Sequence, residues 1–289
     1  MNAMRTMFLL AGLTGLLLAI GSLLGGSKGM TIMFVVSIVT NFVSYWFSDR
    51  IVLSMYGAKE VTPQNAPELI RMLSGLAQKA KISTPKLYII DADIPNAFAT
   101  GRNPSNAAVA VTTGIIKVLE PEELEAVFSH ELAHIKNRDT LIGTVVATIA
   151  GVITMVANIM QWAILLGAGK SSEKGEYSPI ATITEIIVMV LLAPLAATLI
   201  QFGISRAREF KADETGSLLS GNPLALARAL QKIEKLAKNT VMPEATPASS
   251  HMFIVNPFSD TNNWLMRLFS THPDTEQRIE YLVQIANKK

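Results

Sequence analysis

Four apolar runs punctuate the chain, at about residues 7–24, 30–47, 141–166 and 180–204. Each approaches the roughly 20 residues that a helix needs to cross a hydrocarbon core. The first could be a secretory signal, but it lacks the usual small-residue cleavage site and a second run follows after only "GGSKG", so it reads as a retained helix. The last two could be buried helices of a large soluble core, but their length favours spanning. Between the second and third runs the pattern changes. Leu69, Leu73, Leu76 and Ala80 recur at helical spacing, "PKLYIID" reads as a strand, and "NAFATG" and "NAAVAVTTG" flank the turn-rich "RNPS" as a hairpin. Pro121 suits the first turn of a helix that continues through "EELEAVFSHELAHIKN". After the fourth run come the amphipathic "NPLALARALQKIEKLAKN", a long loop from "TVMPEATPASSHMFIVNPFSDTNN", and a closing helix in "PDTEQRIEYLVQIA".

The fold class this predicts is a mostly α membrane protein of about four transmembrane helices, with a small α+β domain outside the bilayer. Residues 1–50 and 141–204 form the two membrane hairpins. Residues 51–140 and 205–289 supply the two parts of the soluble domain.

Composition agrees with a membrane protein: of 289 residues, 49% are hydrophobic and 17% charged, below the roughly 25% of average soluble domains. A net charge of +2 with no basic, aromatic-interleaved stripe argues against nucleic acid as a partner. No cysteine is present, which excludes disulfides and thiolate metal sites. Lysine and arginine near the span ends set the orientation. Arg5, Arg50, Lys59, Lys136, Arg138, Arg206, Arg208 and Lys211 fall on one side, and Lys28, Lys170 and Lys174 on the other, which puts both termini and the polar body in the cytoplasm.

The chemistry concentrates in H-E-x-x-H, His130 to His134. Histidines four apart on a helix project from one face, the spacing two ligands of one tetrahedral ion require. Leu124, Phe128, Leu132 and Ile135 lie roughly opposite, free to pack. Glu131 is placed to take a proton from an attacking water and pass it to the leaving amine. A short match of this kind also arises by chance on charged, solvated helices, so a third ligand decides. In "SRAREFKADE", Glu209 and Asp213 are again four apart. His134 precedes the third run, and Glu209 follows the fourth, by few enough residues that both stand about 8 to 10 Å above the membrane on one side. A hairpin thus returns the chain to the metal. Asp213 then accepts a hydrogen bond from the free ring nitrogen of a ligand histidine; the alternative is a basic juxtamembrane helix at the headgroups.

H-E-L-A-H followed by N-R-D, a membrane hairpin and S-R-A-R-E-F-K-A-D together resemble the HtpX-type membrane zinc metallopeptidases, relatives of the CAAX prenyl protease, over nearly the whole chain. The resemblance implies that the small α+β domain is a zincin-like catalytic domain in the cytosol, with one zinc ion per chain held by His130, His134 and Glu209 and with Glu131 as catalytic acid/base. It implies that Asn96, Ala97, Phe98 and Ala99 form an edge strand aligning substrate, and that His272 of "THPDTEQRI", with Arg278, approaches the site. An edge strand suits a peptidase of broad specificity, because backbone hydrogen bonds grip almost any extended sequence. His272 would offer charge or a hydrogen bond to the oxyanion, or else cap its helix. The expected enzyme is an endopeptidase of a bacterial inner membrane, acting on extended segments of damaged membrane proteins at the cytoplasmic face of the bilayer. Its rivals are a non-catalytic adaptor with a structural metal site and a peptidase for lipidated C-termini. Glu185 is the one charged residue within the runs, so a transport path has little support.

Overall fold

The computed structural model describes residues 2–146, 149, 206–239, 253–254 and 273–288. Helix α1 (Asn2–Trp46) is two arms bent at Gly25 and Gly26, the latter at φ 56° and ψ −139°. That conformation suits glycine, which has no Cβ to clash. The break is shorter than "GGSKG" suggests, because Ser27 to Gly29 are already helical. Asn41 Nδ2 donates to the Leu10 carbonyl (3.3 Å) and to Thr14 Oγ1 (2.8 Å), holding the arms antiparallel. The second arm, Gly25–Trp46, is the one described helix long and apolar enough to cross a membrane; the apolar part of the first, Thr6–Ser22, is shorter. Of the third predicted span, residues 141–146 are helical; its remainder, apart from Ile149, and the whole fourth span lie outside the described residues.

The polar body starts with α2 (Ser48–Met55) and continues through β1 (Lys59–Glu60), α3 (Pro67–Ala80), β2 (Lys86–Ile90), β3 (Ala97–Asn103) and β4 (Asn106–Thr112). There follow α4 (Thr113–Val118), α5 (Pro121–Lys136), α6 (Arg206–Ser220), α7 (Pro223–Asn239) and α8 (Thr275–Asn287). The strands order as β1-β2-β4-β3, with β2 and β4 parallel and the other pairs antiparallel. The predicted hairpin is therefore present, and β3 is an edge strand among the described residues. The short α2 closes one face of the sheet, packing Val52 and Leu53 against Ile90 and Phe98.

The other face carries α5. Leu124, Phe128, Leu132 and Ile135, the predicted packing side, are buried with Leu73, Leu76, Val109 and Val111; each such side chain contributes about 1.5–3 kcal/mol. Glu120 and Glu123 form a capping box on either side of Pro121. Glu123 also accepts from Lys232 at 2.7 Å, which docks α7 onto α5.

Helix α6 crosses α5 at a point where only glycine fits. A Cβ on Gly216 would stand 2.9 Å from the His130 nitrogen and 3.0 Å from its Cα. Asp213 and Glu209 lie three and seven residues before it on the same helical face. The close approach therefore delivers both acids to the histidines.

Candidate metal centre

His130, His134 and Glu209 converge, with one potential ligand atom from each lying within 4.8 Å of the others. The two Nε2 atoms are 3.2 Å apart, and the Glu209 oxygens stand 3.7 Å from His130 Nε2 and 3.6 Å from His134 Nε2. Bonds of about 2.0–2.1 Å to a tetrahedral ion give ligand-to-ligand edges of about 3.3–3.4 Å. The donors are thus spaced as one small cation needs. Their lone pairs are aimed as well: His130 Nδ1 is 2.9 Å from Asp213 Oδ1, and His134 Nδ1 is 3.4 Å from Asp139 Oδ2. Each carboxylate accepts a hydrogen bond from Nδ1–H, which holds that proton on Nδ1 and leaves the Nε2 lone pair to bind.

Asp213 is completely buried and works against its own desolvation cost. Arg278 offsets that cost: Nε donates to Asp213 Oδ2 at 2.9 Å and Nη2 to Oδ1 at 2.6 Å, a bidentate pair. Burial alone would raise the carboxyl, but the Arg278 charge and these bonds, with His130, hold it below the usual range. Arg278 Nη1 also donates to the Ile254 carbonyl (3.1 Å) and stands 3.7 Å from Glu209 Oε2. The Ile254 N–H in turn donates to Asn96 Oδ1 at 3.0 Å. The backbone of Ile254 is thus held from both sides, its N–H by the residue just before β3 and its carbonyl by α8.

Glu131 is buried and accepts the Ala99 N–H from edge strand β3. Burial, and then the nearby Glu209 carboxylate, push it up to about 7 against the pull of His134. A carboxylate near that value exchanges a proton readily at neutral pH. His134 goes the other way from a buried histidine. Burial pulls its pKa down, but Glu209, Asp139 and Glu131 outweigh this and raise it to about 9.

That shift has a measurable sign. A metal must displace the His134 proton at any pH below about 9, so proton competition is strongest at low pH. Apparent affinity of the metal-free protein should rise about tenfold per pH unit between about pH 6 and 8, the weight of one displaced proton. Chelator-competition titrations at three pH values measure it. A flat profile would mean that His134 is neutral throughout.

Of the residues singled out in the sequence, His130, Glu131, His134, Glu209 and Asp213 meet here, and Ala99 reaches Glu131 through its backbone. Phe98 turns its ring into the α2 face, and the Asn96 side chain is engaged by Ile254. His272 lies outside the described residues; the N-cap of α8 is Asp274, whose carboxylate accepts from Glu276 N. The sequence offers Asp139 only as an alternative carboxylate ligand, whereas the structure sets it against His134 Nδ1; the sequence shows no sign of the Ile254 backbone and leaves the role of Arg278 open. Arg278 had a readable signal, since Thr275, Arg278 and Leu282 occupy the buried stripe of α8 at helical spacing.

A mostly helical body with a four-stranded sheet and a His-His-Glu cluster on two crossing helices defines a class, the metallopeptidases, and residues 63–286 match the model of peptidase family M48. The chain belongs to that family. Among curated proteins it is 49% identical to a Protease HtpX homolog of Sulfurihydrogenibium sp., covering 99% of this chain and 97% of that protein. A Protease HtpX homolog of Pyrococcus furiosus is 50% identical (98% and 95% covered), and one of Methylibium petroleiphilum 51% identical (100% and 99% covered). The crystal structure of S. mikatae Ste24p shares the fold, with a TM-score of 0.51 at 19% identity over 97% of this chain and 65% of that one. The chain is accordingly a metallopeptidase, and its Gly25–Trp46 helix is long and apolar enough to cross a membrane.

Proposed function

We propose that the protein is a zinc endopeptidase that cleaves damaged or misfolded membrane proteins at the cytoplasmic surface of a bacterial inner membrane. The observation that carries this reading is the set of three donor atoms within 4.8 Å, with Glu131 buried beside them. His130, His134 and Glu209 hold the zinc, which when bound polarises a carbonyl and makes water nucleophilic near neutral pH. Glu131 takes the proton of the attacking water and returns it to the leaving amine. Asp213 and Asp139 hold the imidazoles in the binding tautomer, and Arg278 holds Asp213.

The substrate binds extended along the Ala97–Ala99 end of β3, as one more antiparallel or parallel strand, beyond which the Gly101 N–H is already engaged by Thr144 Oγ1. Ala97, Phe98 and Ala99 contribute backbone groups there, and the Ala99 N–H already faces Glu131. Asn96 contributes by fixing the strand's entry and the Ile254 peptide beside it. His272, just before α8, supplies a donor to the developing oxyanion. Four membrane helices in two hairpins, residues 1–50 and 141–204, keep the two parts of the catalytic domain, 51–140 and 205–289, at the bilayer. The excess of lysine and arginine on one side supports a cytoplasmic domain.

Metal content and proteolysis of the purified protein, with and without chelator, test the proposal, and the ligand set has its own signature. Glu209→Ala should lose most of its zinc, whereas Asp213→Ala should lose about 10- to 100-fold in affinity or activity. Unchanged metal in Glu209→Ala would mean that another carboxylate completes the site.

A further inference from the structure

At the end of the spanning helix, away from the metal centre, Phe42, Trp46, Phe47, Asp49, Arg50, Arg102 and Asn106 line a cavity of about 370 Å³. The Arg102 guanidinium lies over the Trp46 ring, 4.6 Å from its centroid, and that of Arg50 over Phe47 at 5.7 Å. Neither arginine has an ion pair among the described residues. Two arginines against Asp49 leave the lining with one positive charge. Stacking on an aromatic uses the face of a guanidinium and leaves its N–H edge for an oxyanion, which the planar fork grips bidentately.

The position selects the kind of oxyanion. Gly25–Trp46 has 22 residues, about 33 Å of helix against about 30 Å of hydrocarbon, so its Trp46 end sits at headgroup depth. Leading up to the cavity, Val35, Val39, Phe42 and Trp46 recur at helical spacing and are 57%, 57%, 57% and 44% exposed. An apolar track that ends under two arginines matches an amphiphile, with a chain below and an anionic head above. A free phosphate would use only the upper half.

We propose that this cavity binds the phosphodiester of an anionic phospholipid, its acyl chain lying along Val35, Val39 and Phe42. Arg102 is on β3, three residues beyond Ala99, and Thr100 Oγ1 pairs with Thr144 Oγ1 at 3.0 Å where the third run begins. A lipid held by Arg102 therefore ties the strand beside Glu131 to the bilayer, and the lipid becomes part of the scaffold of the cleft.

The test is a titration of the detergent-solubilised full-length protein with phosphatidylglycerol, phosphatidylcholine or inorganic phosphate, with bound lipid counted by native mass spectrometry. Phosphatidylglycerol should bind in preference to phosphatidylcholine. The Arg50→Gln/Arg102→Gln protein should bind it about 30-fold more weakly, taking about fivefold for each arginine at a membrane surface. Lys59→Gln/Lys288→Gln, which removes the same charge elsewhere, should bind as the parent does. Arg50→Lys/Arg102→Lys keeps the charge without the planar fork and should fall between. Zinc content, read on the same samples, should not change, which separates this site from the catalytic one. Equal binding by the glutamine variant, an equal loss in the lysine control, or parent-like binding by Arg50→Lys/Arg102→Lys would each overturn the proposal. Displacement of the lipid by inorganic phosphate at comparable concentration would also overturn it, by making the ligand a free anion.

Discussion

Replacing Glu131 with glutamine should lower kcat for peptide hydrolysis by about 10²–10⁴-fold, the usual contribution of a positioned acid/base, while leaving metal bound. Glutamine has nearly the same shape, and its carbonyl oxygen can still accept the Ala99 N–H that Glu131 accepts. The three donors are untouched. What disappears is a group whose burial pushes it up to about 7, where it can both take and return a proton. Peptide cleavage and elemental analysis on the same preparation check both halves. Turnover equal to the parent's would refute the assigned role, and loss of metal would show that Glu131 supports the ligand set directly.

The second large effect should come from a residue that touches no substrate. Arg278 is 1% exposed and Asp213 0%. Removing the arginine strands a buried carboxylate beside His130 and takes the donor from the Ile254 carbonyl. Breaking a buried pair in this way costs about 3–5 kcal/mol, a large part of the stability of an ordinary domain. Arg278→Ala should therefore shift denaturant unfolding by that amount and weaken metal binding, since His130 is then no longer held at Nδ1. Arg278→Lys should recover little, because an ammonium cannot bond both Asp213 oxygens as Nε and Nη2 do. A loss under about 1 kcal/mol in Arg278→Ala would mean that Asp213 is neutral or hydrated instead.

The two predictions separate two layers of one site. Glu131 acts on the reacting atoms and its loss should be kinetic. Arg278 acts through Asp213 and His130, so its loss should be read first in stability and metal affinity.

Several features followed from the sequence alone because they depend on one element's own period. His130 with His134, and Glu209 with Asp213, each share a helical face at a spacing of four, whatever the helix packs against. Pro121 opens α5, and "RNPS" turns the hairpin of β3 and β4, for equally local reasons. The apolar side of α5 was legible for the same cause, and its residues are in the core. Only the tertiary structure decided which distant groups meet. Arg278 finds Asp213 across 65 residues and Ile254 finds Asn96 across 158. Nothing periodic encodes such partners. They are set by how closely α6 can cross α5 at Gly216, and by which buried charge lies within reach once it has. Asp139 belongs with them: it lies just past the end of α5, and the chain turns there with Arg138 at φ 60°, bringing its carboxylate back to His134. A helical wheel cannot show that reversal, because it begins where the helix stops.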